Sequence, residues 1–243
     1  MKPSFSLIIC AYNEAHIIED CVQKCIKGLS KDFDDFEIIL VNDGSKDITG
    51  DLMDKLSQKY ENVKTLHNLI NLNFGTSVQR GMVAATKEII SFNAADLPFL
   101  PDKYWEAIED MGDNDALVIE RVQYLGTSGW RRFSSCINRA VMRVLFPILK
   151  RGIHDTNFIQ VYKNTIVKHV MPLARGPIFT WPEMIFRARY LGLRVKVVQA
   201  EYNPVFVRKG AFGKPHDILW GLYEMMRFRL KLWGGKVKHE EHI

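Results

Sequence analysis

Long apolar runs, paired cysteines and signal-like segments are all missing from this sequence. No uninterrupted apolar run approaches the ~18 residues that a membrane-spanning helix needs. The N-terminus leads into a strand-like segment without the layout of a signal peptide. The four cysteines form no Cys-x-x-Cys pair, and Cys21 and Cys25 stand one helical turn apart, where small buried side chains are expected. We therefore expect a cytoplasmic protein with neither a membrane span, a disulfide framework nor a zinc site.

Linkers and repeats are missing as well. The 243 residues contain no Gly/Ser-rich linker, no low-complexity tract and no internal repeat. A content of 47% hydrophobic and 25% charged residues is typical of a folded globular chain, which argues against disorder, collagen and coiled coil. The sequence predicts one domain over residues 1–243.

The charge is divided unevenly between the two halves. Residues 1–120 contain 11 Lys and Arg against 21 Asp and Glu, whereas residues 121–243 contain 22 against 7. The basic excess of the second half suits a polyanionic partner such as phosphates, an anionic membrane surface or nucleic acid. A basic face that is merely solvated explains the charge equally well.

Apolar segments of strand length alternate with segments of helical periodicity in the first half. Residues 5–11 (FSLIICA) and 36–41 (FEIILV) are typical of buried strands, and further strands are predicted at 63–66 and 88–92. The first helix is expected to open at Asn13. This alternation predicts an α/β fold with a mainly parallel sheet flanked by helices.

Polar clusters follow three of these strands. They are Tyr12-Asn13-Glu14, Asn42-Asp43-Gly44 and the segment from Asn93 to Asp96. The carboxyl ends of parallel strands meet at one edge of a sheet, and ligands bind beyond that edge. We therefore expect a binding site where the three clusters come together.

The second half contains two basic amphipathic segments. One helix is predicted at residues 134–149 and another at 216–233. The side chains predicted to share one side of the first are Ile137, Val141, Val144, Leu145 and Ile148. Each helix is interpreted either as docked on the domain with a solvated basic face or as lying on lipid headgroups, and the pattern leaves both open. The remaining elements predicted in this half of the chain are helices at 103–111 and 182–190 and strands at 116–120, 158–162 and 195–198.

The motifs SLIICAYNEAHIIEDCV, IILVNDGSKDITGDL, NLNFGTSVQRGMVAATKEIISFNAADLPFLPD and RKGAFGK occur in order along the chain. Together they resemble the inverting family-two glycosyltransferases, which have the Rossmann-like GT-A fold. More narrowly, SGWRRFSSCINRA, HDTNFIQVYKN, FTWPEMIFRARYLG and VRKGAFGK resemble the second half of polyprenyl-phosphate hexose synthases such as dolichyl-phosphate mannose synthase. Several motifs in register are more specific than one short pattern.

The resemblance implies a hexosyltransferase that moves a hexose from a UDP- or GDP-sugar to a polyprenyl phosphate in cell-envelope biosynthesis. It implies a nucleotide-sugar-binding half at 1–120, an acceptor-binding half at 121–215 and an amphipathic basic segment at 216–243. The expected partners are the nucleotide sugar, the polyprenyl phosphate, an anionic membrane surface and a membrane-spanning protein. The chain is expected to be peripheral at the inner face of the membrane. Nucleic acid is not an expected partner, because no recognisable reading module accompanies the basic residues.

The resemblance also implies roles for individual residues. Those matched to nucleotide-sugar binding are Ala11, Tyr12, Glu14, Asn42, Asp43, Ala95, Asp96 and Glu183. Those matched to the acceptor phosphate are Arg131, Arg132, Arg208 and Lys209. Those matched to catalysis are Asp96, Asp155, Arg131, Arg208 and Lys214. Guanidinium groups suit a leaving diphosphate, although each cation taken alone is explained equally well as solvated surface. Asp155 has the alternative role of a turn residue, and Glu183 that of a charge at a helix N-terminus.

The sequence departs from the family pattern at the metal motif. The family has Asp-x-Asp after the strand ending at Phe92, where Mg²⁺ or Mn²⁺ bridges carboxylates and diphosphate. Here Ala94 replaces the first carboxylate, so Asp96 is the remaining metal ligand, with Asn93 as a neutral substitute. Three interpretations follow: a metal held by Asp96, water and the diphosphate; cations acting in its place; or a protein that binds without catalysing.

The sequence leaves two alternatives to a polyprenyl-phosphate transferase open. Transfer to a saccharide hydroxyl in polysaccharide or lipopolysaccharide assembly requires a general base, for which Asp155 is the candidate. A catalytically impaired nucleotide-sugar-binding protein is the other, because Ala94 removes a metal ligand. A phosphate acceptor is already an anion at neutral pH and needs positioning more than deprotonation.

Overall fold

The computed structural model describes residues 2–122, 129–147, 151–200 and 215–234, with the backbone alone for 129–135 and 215. The strands are β1 (Phe5–Ala11), β2 (Phe36–Asn42), β3 (Val63–His67), β4 (Ile89–Ala94), β5 (Ala116–Arg121), β6 (Ile159–Lys163) and β7 (Val195–Ala200). The helices are α1 (Ile18–Leu29), α2 (Thr49–Lys59), α3 (Phe74–Ala84), α4 (Tyr104–Met111), α5 (Gly129–Leu145), α6 (Asn164–Val170), α7 (Thr180–Tyr190) and α8 (Pro215–Trp233). A 3₁₀ turn at Pro101–Lys103 precedes α4.

The strands form one sheet in the order β3-β2-β1-β4-β6-β5-β7. All neighbouring pairs are parallel except those of β6, which runs antiparallel to both β4 and β5. This sheet, with helices on both faces, confirms the α/β class and the mainly parallel arrangement predicted from the sequence.

Burial of the sheet on both faces explains why its central strands are continuously apolar. In β1, Leu7 and Ile9 pack into one core and Ile8 into the other, because successive side chains of a strand point to opposite faces. Helices α1, α2 and α4 contribute to the first core, and α3 and α5–α8 to the second. Cys21 and Cys25 are fully buried with free thiols, as predicted.

Helix α3 lies unusually close to the sheet. A Cβ atom at Gly81 would stand 2.4 Å from Cγ2 of Ile8, closer than two carbon atoms can approach. Glycine at this position therefore sets the distance between α3 and β1.

Several helix boundaries differ from the predictions. Helix α1 begins at Ile18 and not at Asn13, because Asn13 has a left-handed φ of 56° that breaks helical geometry. Helix α5 begins at Gly129 and ends at Leu145, earlier than predicted at both ends. Helix α6 was not predicted; its seven residues are too few to give a clear period.

The prediction of which side of α5 faces the core was wrong in part. Ile137 and Val144 are exposed, whereas Met142 and Phe146 are buried. The ring centroid of Phe146 lies 4.9 Å from that of Phe186 on α7 and 5.8 Å from that of Phe228 on α8. It lies 5.7 Å from the ring centroid of Phe179. This aromatic cluster fixes the rotation of α5, and the predicted position Ile148 lies outside the described residues.

Helix α8 is docked on the domain through Met225, Phe228 and Leu232, which are buried. Other apolar side chains of the predicted amphipathic helix remain exposed: Leu219, Met226, Leu230 and Trp233. Within the described residues, no helix combines the length and the hydropathy that a bilayer-spanning segment requires.

Candidate active site

The strand order changes direction at β1, which has β2 on one side and β4 on the other. The last residues of these strands lie side by side, since Ala11 is paired with Asn42 and Cys10 with Ala94. A crevice outside the carboxyl ends at such a switch point is where open α/β sheets bind ligands. The three polar clusters predicted from the sequence therefore do meet at one edge.

The loops after β1 and β2 brace each other. The N–H of Asn13 donates to Oγ of Ser45 at 3.0 Å, and the Lys46 N–H donates to Oδ1 of Asn13 at 2.8 Å. The N–H of Glu14 donates to Oγ1 of Thr49 at 2.8 Å. This network fixes the first loop, with Tyr12 exposed at the edge.

Asp47 belongs to the same network and was not singled out from the sequence. Burial would raise the pKa of its carboxyl, but hydrogen bonds from Thr49 and from the N–H of Ala15 outweigh burial and lower it. Its position two residues before Thr49, just ahead of α2, is the sequence signal for such an Asx-turn carboxylate.

Asn42 and Asp43 use their polar atoms inside the protein. Oδ1 of Asn42 accepts the Ser45 N–H at 2.9 Å, and its Nδ2 lies 3.1 Å from Nδ1 of His67. Oδ1 of Asp43 accepts from Nδ2 of Asn68 at 2.8 Å and from the N–H of Leu72 at 2.9 Å. These two residues hold the loop that follows β3 against the loop that follows β2.

Asp96 is placed differently. Its Oδ1 is buried and has no hydrogen-bond partner, and burial raises the pKa of its carboxyl. It follows the end of β4 in a turn closed by the hydrogen bond from the Leu97 N–H to the carbonyl of Ala94 at 2.9 Å. A buried oxygen without a donor is costly, so this atom is suited to accept a hydrogen bond from a ligand.

The side chains beside Asp96 are less accessible to a ligand. Ala11 and Ala95 have their methyl groups buried in the core, so a ligand could reach only their backbone atoms. Asn93 donates from Nδ2 to the carbonyl of Phe99 at 2.8 Å, and its Oδ1 accepts the Ala94 N–H at 3.0 Å. Asn93 therefore stabilises the turn, and its role as a neutral substitute for the missing carboxylate stays a prediction.

The described residues contain no group of three or more His, Cys, Asp or Glu side chains arranged to hold a metal ion. Asp96 offers one carboxylate where Mg²⁺ or Mn²⁺ in a protein-built site needs several oxygen ligands. Among the described residues, Asp96 is the carboxylate after β4 that could take part in holding such an ion.

Asp155 lies at the same edge, after β5 and before β6. Its Oδ2 accepts from Nε of Arg121 at 2.6 Å and its Oδ1 from Nη2 at 3.2 Å, a bidentate ion pair. Oδ1 also accepts the Asn157 N–H at 3.0 Å, as in an Asx turn. The Arg121 guanidinium lies 5.3 Å from the ring centroid of Phe158, which packs against Phe99 beyond the Asp96 turn.

Arg121 was not among the site residues predicted from the sequence. The available signal was a cation directly after the predicted strand 116–120, at the edge where ligands bind. The structure assigns it to holding Asp155 in place.

Glu183 is buried and fully occupied. Its carboxylate accepts the N–H groups of Leu173 at 3.1 Å and Ala174 at 2.7 Å, and Nε of Arg187 at 2.8 Å. These contacts fix the segment before α7, whereas the sequence offered sugar binding or helix-terminus stabilisation. Glu14 is also buried, at 1% exposure.

The structure does not describe the side chains of the cations predicted to bind phosphate. Arg208, Lys209 and Lys214 are outside the described residues, and the side chains of Arg131 and Arg132 are not described although their backbone belongs to α5. Their roles stay predictions.

Among proteins of known name, this chain is similar to glycosyltransferases. It is 31% identical over 118 residues to glycosyltransferase EpsH, so named provisionally, of Bacillus subtilis (strain 168), covering 48% of this chain and 33% of that protein. It is 27% identical over 218 residues to dolichyl-phosphate beta-glucosyltransferase ALG5A of Trichomonas vaginalis, covering 82% of this chain and 66% of that protein. The matched region thus spans from a third to about two thirds of these relatives.

Solved structures show the same fold at low identity. Glucosyl-3-phosphoglycerate synthase from Mycobacterium tuberculosis, in complex with phosphoglyceric acid, has a TM-score of 0.66 at 15% identity, covering 93% of this chain and 79% of that one. The complex of that synthase with Mn²⁺, UDP and glucosyl-3-phosphoglycerate has a TM-score of 0.62 at 16% identity, covering 97% and 80%.

The match to a family model is more extensive. Residues 6–171 match the model for glycosyl transferase family 2, which includes the β1, β2 and β4 edge and continues past Asp155. The order of the strands, the meeting of the polar clusters at one edge and the family match agree with one another. The chain belongs to glycosyl transferase family 2 and has the GT-A fold.

Proposed function

We propose that the protein transfers a hexose from a UDP- or GDP-sugar to a polyprenyl phosphate, with inversion at the anomeric carbon. The observation that carries the proposal is the buried, unpartnered Oδ1 of Asp96, which follows β4 at the carboxyl edge of the sheet. A nucleotide sugar presents ribose and sugar hydroxyl groups that can donate to this oxygen. The similarity to a dolichyl-phosphate glucosyltransferase over 82% of the chain supports the choice of acceptor class.

The state of Asp155 supports a phosphate acceptor over a saccharide hydroxyl. A hydroxyl acceptor requires a base that can take its proton, and both carboxylate oxygens of Asp155 accept hydrogen bonds from Arg121. An anionic phosphate oxygen needs no such base. It attacks the anomeric carbon in line, the bond to the nucleoside diphosphate breaks, and the leaving diphosphate takes the electron pair.

In this proposal each half of the chain has its own task within one domain. The first half binds the nucleotide sugar, with Tyr12 exposed beside the braced loops. The cations Arg131, Arg132, Arg208, Lys209 and Lys214 bind the acceptor phosphate and the leaving diphosphate. With Asp96 as the single carboxylate after β4, a metal would take its other ligands from the diphosphate and water.

Turnover assays test the proposal. UDP- and GDP-hexoses are incubated with the protein and a short polyprenyl phosphate in detergent, with Mg²⁺, with Mn²⁺ and with EDTA. We expect a butanol-extractable glycolipid that mild acid cleaves. Product on a saccharide hydroxyl instead, or nucleotide-sugar binding without transfer to any acceptor, would overturn it. Activity that appears only in Ala94→Asp would assign the natural chain a binding role.

A further inference from the structure

Helix α8 has two apolar faces. One is buried against the domain through Met225, Phe228 and Leu232. The other consists of exposed side chains, here called the α8 stripe: Leu219 (68% exposed), Tyr223 (57%), Met226 (49%), Leu230 (58%) and Trp233 (72%). They recur at intervals of four and three residues and fall within a sector of ~80° at 3.6 residues per turn, roughly opposite the buried face.

A helix docked on a domain normally has a polar outer face. Apolar side chains on both faces are typical of a helix that is covered on both sides. Isolated exposed apolar side chains need no explanation, but five in one row on one helix form a continuous surface.

The charges beside the α8 stripe have one sign. Arg227 and Lys231 follow it on one side of the helix and Arg229 on the other. The acidic residues of α8 are Asp217, beside His216 at the first turn, and Glu224, which is buried. The exposed surface around the stripe is therefore apolar and cationic.

Glu224 is turned inward. Its Oε1 accepts the N–H groups of Arg175 at 2.7 Å and Gly176 at 3.0 Å, and Nε1 of Trp220 at 2.9 Å. The carbonyl of Arg175 in turn accepts the N–H of Gly75, in the first turn of α3, at 2.9 Å. These hydrogen bonds hold helix α8 against the segment that adjoins the carboxyl edge of the sheet, where the polar clusters meet.

We infer that the α8 stripe is a docking surface for an anionic lipid bilayer, with the helix lying in the plane of the headgroups. Leucine, methionine and aromatic side chains enter the boundary between headgroups and acyl chains, while flanking arginine and lysine attract anionic lipid. Tyrosine and tryptophan are suited to this depth because their rings are apolar with one polar atom.

A second copy of the chain fits this surface less well. Pairing of two stripes would bring Arg227, Arg229 and Lys231 near the same cations of the other copy. The exposed part of α8 around the stripe offers no carboxylate to compensate them, since Glu224 is buried. Like charges placed together at an interface oppose association, whereas anionic headgroups neutralise them.

Vesicle co-sedimentation of the full chain tests this inference. The vesicles contain phosphatidylcholine alone or phosphatidylcholine with phosphatidylglycerol, and neither polyprenyl phosphate nor nucleotide sugar is present. We expect binding to the anionic vesicles that weakens at high salt, because screening reduces attraction by exposed cations. The double variant Tyr223→Glu, Leu230→Glu should reduce the partition coefficient by about tenfold or more.

Val83→Glu provides the matched control, since Val83 is an exposed apolar residue on α3, outside the stripe. It should bind vesicles like the parent, and circular dichroism should show all variants folded. Equal vesicle binding by the parent and the double variant, or no binding by the parent, would overturn the inference. So would a parent dimer in sedimentation velocity that the double variant converts to monomer, since the stripe would then join two copies. These outcomes are independent of glycosyl transfer in detergent, so the two proposals can fail separately.

Discussion

Three acidic side chains, one in the first half of the chain and two in the second, are in contrasting states. Asp96, at the end of β4 in the first half, has a buried oxygen without a partner. Asp155 and Glu183, in the second half, accept hydrogen bonds from arginine and from backbone N–H groups. All three match positions that the family resemblance associates with function. The difference shows that one matched carboxylate can keep an oxygen without a partner while others are held by hydrogen bonds within the protein.

The largest expected effect on stability is at Glu183. Glu183→Ala leaves Arg187 as a buried cation without its carboxylate, since Arg187 is 1% exposed, and leaves two backbone N–H groups without an acceptor. Breaking a buried ion pair in this way costs ~3–5 kcal/mol of unfolding free energy. Urea denaturation measures the loss.

Glu183→Gln is the control for that change, because an amide oxygen still accepts a hydrogen bond from a backbone N–H. It should lose less unfolding free energy than Glu183→Ala. If both variants unfold at the parental urea concentration, Glu183 does not hold this segment, and the contrast with Asp96 disappears.

At Asp96 we expect the largest effect on activity. If Asp96 accepts a hydrogen bond from the nucleotide sugar as proposed, Asp96→Asn should lower kcat/KM for hexose transfer on the order of 10²-fold, because a charged acceptor is lost. It should not lower the melting temperature. A carboxyl whose pKa is raised by burial destabilises the folded state as pH rises through its titration, and the amide removes that pH dependence.

Asp155→Asn is the matched comparison. It breaks the ion pair with Arg121 and should lower the melting temperature, measured by calorimetry at neutral pH. The comparison fails if Asp96→Asn destabilises the protein more than Asp155→Asn does.

The smallest expected effect is on the pH dependence of stability and concerns Glu37 on β2. It tests whether hydrogen-bond partners or location in the chain determine the pKa of a carboxyl group. Burial would raise its pKa, but Lys64, Thr86 and Ser6 donate to it and lower the pKa to about 2. The stability it contributes is therefore present above the ordinary glutamate pKa and is lost as pH falls toward about 2.

Urea titrations between ~pH 6 and ~pH 2 measure this loss, and Glu37→Gln should flatten the dependence over that range. Lys64→Gln should flatten the pH dependence of stability less than Glu37→Gln does, because Lys64 is half exposed and the other donors to Glu37 remain. An unchanged pH dependence in Glu37→Gln would assign the acid loss to other carboxylates.

Much of the fold follows from local sequence patterns. The runs FSLIICA and FEIILV are apolar except at Ser6 and Glu37, so their pattern identified them as buried strands. The polar clusters that follow them were placed correctly at one edge, because strand direction alone brings those ends together.

The errors arose where a distant contact decides the outcome. The rotation of α5 depends on where Phe146 meets rings of α7 and α8, which no local period reveals. The amide of Asn93, a predicted substitute ligand, contacts the carbonyl of Phe99 and the N–H of Ala94, a turn geometry that residue types alone do not reveal.

The sequence by itself determined the α/β class, the family and the edge of the sheet where the polar clusters meet, because these depend on residue types in order along the chain. Tertiary structure alone decided that the oxygen of Asp96 lacks a partner while the oxygens of Asp155 are held by Arg121. It also decided that α8 buries one apolar face and exposes another. Burial and hydrogen bonding are relations between residues far apart in sequence, so only the folded arrangement sets them.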